Sequence, residues 1–172
     1  MNNRKEEQIE IDKIYNDIQN TLGFIPNILQ LCSMNYNVLK AVWGNTKEIL
    51  TMSFEEQKFH LILRLLVSNE NSCEYCVGVY EGMLINKYKI DVEEIQKLKQ
   101  EPQKAPLQES YIELLLFALK SFNNPKLIEL SDLEDLEKLK FKPKQIFDAI
   151  HNAKYMTVIN TLATTYKVEV DM

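Results

Sequence analysis

Apolar residues recur every three or four positions along nearly the whole of this chain, and only four glycines and five prolines interrupt them. That spacing places side chains on one face of a 3.6-residue helix, whereas a half-buried strand requires alternation. Ile11, Ile14, Ile18 and Leu22 mark a first helix that Gly23 ends, and Pro26 opens a second at the favoured first-turn position for proline. Tyr36, Leu39, Val42 and Trp43 mark a third. Ser53 followed by Glu56 is a capping-box signature. It opens a helix whose second half is apolar nearly all round, as a buried helix is. A polar break, NENS, precedes the helical pattern of CEYCVGVYEGMLI, and Asp91 begins another helix. After a linker over 101–106, SYIELLLFALKSF is a helix, Ser131 and Glu134 form a second capping signature, and Pro143 starts a long helix or a broken pair. Strand-like alternation is confined to YKI and KVEVD. The expected fold class is all-α.

At 172 residues the chain suits one domain or two small fused halves. Each half closes in a helix pair of similar texture, which suggests an internal duplication. Residues 1–172 are expected to form a single helical domain, with one half at about 1–100 and a second at about 107–172. The net charge of −5 argues against a nucleic-acid footprint, which requires clustered Lys and Arg. No apolar stretch approaches the roughly 20 residues of a membrane span, and MNNRKEEQIEIDK has no apolar run of a secretory signal. A cytoplasmic protein is therefore expected, in a compartment where close cysteines serve catalysis or metal binding rather than structural disulfides.

Cys73 and Cys76 are such a pair. Asn71 and Ser72 are good N-cap residues, so Cys73 is expected in the first turn of its helix, with Cys76 one turn later on the same face. A helix N-terminus stabilises a thiolate. Paired thiols can attack a peroxide or disulfide and then close on each other. Zinc would need four ligands, and no second CxxC or paired His accompanies this one. Two inert buried thiols are the remaining alternative.

The segment LRLLVSNENSCEYCVGVY resembles the AhpD-like alkylhydroperoxidase, or carboxymuconolactone decarboxylase-like, superfamily through Val67, Ser68, Asn71, Cys73, Tyr75 and Cys76. GFIPNILQ and FKPKQIFDAIHNAKYMTVINTLATTYKVEVD resemble the opening and closing segments of its longer, peroxidase-related branch. The resemblance implies an AhpD-like helical bundle and a homo-oligomer (dimer, trimer or hexamer). It also implies a dithiol reducing peroxides or exchanging disulfides, without cofactor or metal, and an external thiol or dithiol as electron donor. It further implies a proton relay from a Glu twelve residues before the first Cys, through a His four residues after the second, to an attacking Cys76 that Cys73 resolves. Those relay positions are Leu61 and Tyr80 here. Leucine carries no proton and a phenol is a poor base at neutral pH, so low peroxidase activity is expected. The opposing alternative is a degenerate binding, interaction or redox-sensing module.

Glu56, His60, Arg64 and Ser68 recur every four residues as a polar stripe. His60 is a candidate replacement base, and the plainer expectation is that the stripe faces solvent or a neighbouring subunit. Tyr80 lies one turn from Cys76 and is a second candidate. Cys32, Trp43 and His151 are expected in the core.

Overall fold

A computed structural model describes residues 2–171, and their side chains from Lys5 onward. Among these residues there are nine α-helices and no strand. They are α1 (Asn2–Leu22), α2 (Asn27–Cys32), α3 (Tyr36–Thr51), α4 (Phe54–Glu70), α5 (Glu74–Tyr88), α6 (Val92–Gln100), α7 (Glu109–Asn123), α8 (Leu130–Lys138) and α9 (Pro143–Thr165). Short 3₁₀ turns at Pro102–Lys104 and Pro125–Leu127 join α6 to α7 and α7 to α8. The all-α expectation holds. The alternation at YKI and KVEVD forms no strand, and the segment after Pro143 is one continuous helix.

The contacts group the chain into two units. One comprises the residues up to Met52 together with those from Lys167 onward, and the other spans 53–166. In the first, α3 packs on both α1 and α2. Gly23 ends α1 with a φ of +84°, a left-handed conformation that glycine adopts without steric cost. The Trp43 indole donates to Asp17 at 2.7 Å, and Lys47 pairs with the same carboxylate at 2.7 Å. Pro26 is the residue before α2 rather than its first residue. The free N–H of Asn27 in the opening turn of α2 is taken by the Asp171 carboxylate at 2.7 Å. Trp43 and Cys32 are buried, as expected.

In the second unit α4 is the central element, packed on α5, α7 and α9. Every residue from Phe59 to Ser68 is buried, which its near-continuous apolar run anticipates. Fully burying a Leu or Ile side chain contributes roughly 1.5–3 kcal/mol, so this run (Ile62, Leu63, Leu65 and their neighbours) anchors the unit. The Ser53–Glu56 capping box is present, and Asp91 accepts from Glu94 N–H at 2.7 Å at the start of α6. The second box departs from expectation. Ser131 lies inside α8, and it is the Asp132 carboxylate that accepts the Glu129 N–H at 2.9 Å. Helices α6 and α7, which flank the 101–106 linker, belong to the same unit.

Candidate functional site

The turn between α4 and α5 positions the cysteines. Asn71 closes α4, Ser72 adopts a left-handed φ of +54°, and Cys73 N–H returns to Ser68 C=O at 2.9 Å while Ser72 N–H reaches Asn69 C=O at 3.1 Å. This is a Schellman motif, in which two orphan carbonyls at the helix end are satisfied by the reversing chain. It corrects the expected capping. Asn71 and Ser72 finish α4, and Cys73 itself is the N-cap of α5, with extended φ and ψ of −92° and 91°. Cys76 occupies the first turn of α5.

Both sulfurs are reduced and almost wholly buried, at 1% and 3% exposure. Cys76 is hydrogen-bonded to Cys73. Burial pushes the Cys76 thiol well up, and the adjacent Cys73 pushes it further, against the opposing effects of Asn160 and Arg64. Burial and the neighbouring sulfur thus both disfavour the Cys76 thiolate.

Three of the four residues of the α4 polar stripe are buried within the chain and Glu56 is half-buried, which overturns the expectation that the stripe faces solvent or a neighbouring subunit. His60, Arg64 and Ser68 are 4%, 5% and 0% exposed. They face α9, whose polar residues Gln145, Asn152 and Asn160 lie seven and eight apart. Gln145 donates to Glu56 at 2.8 Å, Arg64 Nη2 donates to Asn152 Oδ1 at 2.6 Å, and Asn160 Nδ2 donates to Ser68 Oγ at 3.0 Å. Asn71 completes the set by donating to Asn160 Oδ1 at 2.9 Å, and Asn160 also hydrogen-bonds Cys76. One amide thus ties α9 to the end of α4, to the turn and to a sulfur. Sequence reasoning missed Asn152 and Asn160. The one available signal was their spacing on α9 in register with that of the α4 stripe.

His60 is buried with its ring edge against Phe59, and its Nδ1 has no hydrogen-bond partner among the described residues. Burial lowers its pKa to about 3, helped by the Arg64 charge and opposed by Glu56. Tyr80, from α5, turns its hydroxyl to the Met156 sulfur at 3.4 Å and hydrogen-bonds Arg64. Burial raises its pKa, while Arg64 pulls the other way. Leu61 is buried. His151, expected in the core, is exposed and stacks between Phe147 and Tyr155 on the outer face of α9. A cleft of about 440 Å3 lies beside the turn, lined by Leu66, Asn69, Glu70, Lys99 and Lys120 among others, but neither sulfur lines it. Among the described residues no three of His, Cys, Asp and Glu are grouped as metal ligands, and no helix is long and apolar enough to cross a membrane.

The arrangement of these helices is shared with solved structures. An uncharacterized peroxidase-related protein from Silicibacter sp. TM1040 superposes with a TM-score of 0.76 at 23% identity, over 93% of this chain and 84% of that one. An alkylhydroperoxidase AhpD core, an uncharacterized peroxidase-related protein from Ralstonia eutropha JMP134, superposes with a TM-score of 0.77 at 19% identity, over 94% and 85%. The fold of this chain is thus AhpD-like, the architecture that the CxYC segment suggested. No family model and no curated protein matches the sequence.

Proposed function

We propose that the chain is a thiol-dependent oxidoreductase whose Cys73–Cys76 dithiol reduces small peroxides or exchanges small disulfides. The observation that carries this is the hydrogen-bonded pair of sulfurs at the junction of a Schellman turn and a helix start. Cys73 is the nucleophile in this reading. It stands at the N-cap position of α5, where the helix dipole favours an anion, while burial and its neighbour disfavour the Cys76 thiolate. Cys76, retained as a thiol, then resolves the oxidised Cys73. This order is the reverse of the one the family resemblance implies.

The near-complete burial of both sulfurs favours a small oxidant over a protein disulfide, which would need an exposed sulfur to attack. A small thiol or dithiol donor returns the disulfide to the dithiol, as a reducing cytoplasm would allow. His60 is left out as a base because an imidazole with a pKa of about 3 accepts a proton poorly at neutral pH. With no such base, turnover is slow. The test is the rate of iodoacetamide labelling at neutral pH, mapped by peptide. Labelling concentrated at Cys73 supports the reading. Cysteines that stay unlabelled in the native protein and form no disulfide under mild oxidant would favour a binding module instead.

A further inference from the structure

A thiolate that attacks a hydroperoxide expels an alkoxide, a base too strong to leave a buried site without a proton. Leu61 and Tyr80 occupy the positions at which the family's relay would handle that proton. The structure places a different pair beside the sulfurs. Arg64, 5% exposed, is fixed on α9 through Asn152, whose own amide donates to Asp148 C=O at 2.9 Å. Its guanidinium also hydrogen-bonds the Tyr80 phenol. The Tyr80 hydroxyl meanwhile donates to the Met156 thioether, a weak acceptor from which the proton is readily diverted. Tyr80 follows Cys76 by one turn of α5, and both cysteines act on its ionisation, as does Arg64.

We propose that Arg64 and Tyr80 form a guanidinium–phenol pair that protonates the oxygen leaving from a hydroperoxide attacked by Cys73. The inference rests on the dithiol reading above. The Cys73 thiolate attacks the distal oxygen of ROOH, the O–O bond breaks, and Cys73 becomes a sulfenic acid while RO⁻ departs. Tyr80 gives RO⁻ its proton, and the phenolate left behind is stabilised by Arg64. Cys76 S–H reprotonates Tyr80, and the new Cys76 thiolate attacks the Cys73 sulfur. Tyr80, now reprotonated, gives its proton to the hydroxide that leaves the Cys73 sulfur and regains one from solvent, so the products are the disulfide, ROH and water, and the peroxide gains the two electrons that the thiols lose. Arg64 is a positioning residue acting through Tyr80, and Tyr80 is the catalytic acid.

A leaving-group comparison tests this in single turnovers of the reduced protein. tert-Butyl hydroperoxide expels an alkoxide that needs a proton, whereas peroxyacetic acid expels acetate, which does not. Tyr80→Phe is expected to slow the first by about 100-fold and the second by no more than a few-fold. Arg64→Met is expected to repeat that pattern, and Arg64→Lys to recover part of the loss. An equal loss with both peroxides, or no loss with either, overturns the pair even if Arg64→Met does not fold. If native protein reacts with iodoacetamide and both peroxides while Tyr80→Phe matches it, only this inference fails. If native Cys73 reacts with none of the three, the dithiol reading fails and this inference fails with it.

Discussion

At the scale of single residues, the site is organised by which groups can hold a charge. Burial and Cys73 disfavour the Cys76 thiolate, and in the proposed reaction Cys76 closes on an oxidised neighbour. Cys76→Ser should therefore leave Cys73 open to alkylation but abolish the intramolecular disulfide. Peroxide-treated variant should then accumulate a dimedone-reactive sulfenic acid, which peptide mass spectrometry detects. Loss of alkylation at Cys73 in that variant would assign the nucleophile to Cys76. His60 gives a second expectation. Its pKa is about 3 in the folded chain against 6.5 unfolded, so between those values the unfolded state binds more protons. Its contribution is complete above about pH 6.5 and is lost as pH falls toward 3, amounting to roughly 5 kcal/mol across that span. Urea titrations from pH 7 to 4 should show this slope, and His60→Leu should flatten it. Equal slopes in the two proteins would place the acid sensitivity elsewhere. The sequence made the cysteines visible as a pair but not His60 as a buried group. A polar residue every fourth position reads as a solvent face, and only Gln145, Asn152 and Asn160, more than eighty residues away, turn that face inward.

At the scale of elements, helix starts were the most legible feature. Ser53 with Glu56, Asp91 and Pro143 each satisfy or remove orphan N–H groups in ways specific to their side chains. The helix ends were less so. Two of them turn on the same Schellman pattern with a non-glycine residue at the left-handed position, Ser72 after α4 and Lys140 after α8. With no glycine to announce it, the α4 turn left Asn71 and Ser72 looking like the cap of α5, and the N-cap was misplaced by one residue. Ser131 misled for a related reason, since Glu129 and Asp132 supply the same start two residues earlier. A left-handed conformation costs a non-glycine residue about 1 kcal/mol. Lys140→Gly, remote in sequence from the cysteines, should thus stabilise the fold by up to about 1 kcal/mol. Thermal unfolding checks this, and a lower Tm would mean that the Lys140 side chain contributes more than its backbone strain costs.

At the scale of the whole molecule, the helical period was sufficient to specify an all-α chain, and the CxYC segment was sufficient to suggest the AhpD-like architecture. The division into units was not legible. It depends on where α1, α2 and the terminal segment pack, and Asn27 meeting Asp171 is a contact across most of the chain length. We propose in addition that the protein is a homo-oligomer. The outer face of α9 exposes Phe147 at 66% and Val158 at 55%, with the His151 ring stacked in line between Phe147 and Tyr155. Such a stripe on a helix is what a second copy would cover. Light scattering at micromolar concentration should give the mass of a dimer, trimer or hexamer. Phe147→Glu with Val158→Glu should lower that mass without removing the Cys73 thiol's reactivity. A monomer mass for the unaltered protein would refute the oligomer.

The most direct measurement is a thiol count before and after one equivalent of mild oxidant, followed by non-reducing peptide mapping. The chain has three cysteines, and Cys32 is buried in the other unit. A working dithiol loses two thiols, leaves Cys32 free under denaturing conditions, and yields one peptide carrying an internal Cys73–Cys76 bond that a small dithiol reopens. Retention of all three thiols, or a bond that joins two chains instead, would contradict a dithiol at the α4–α5 turn.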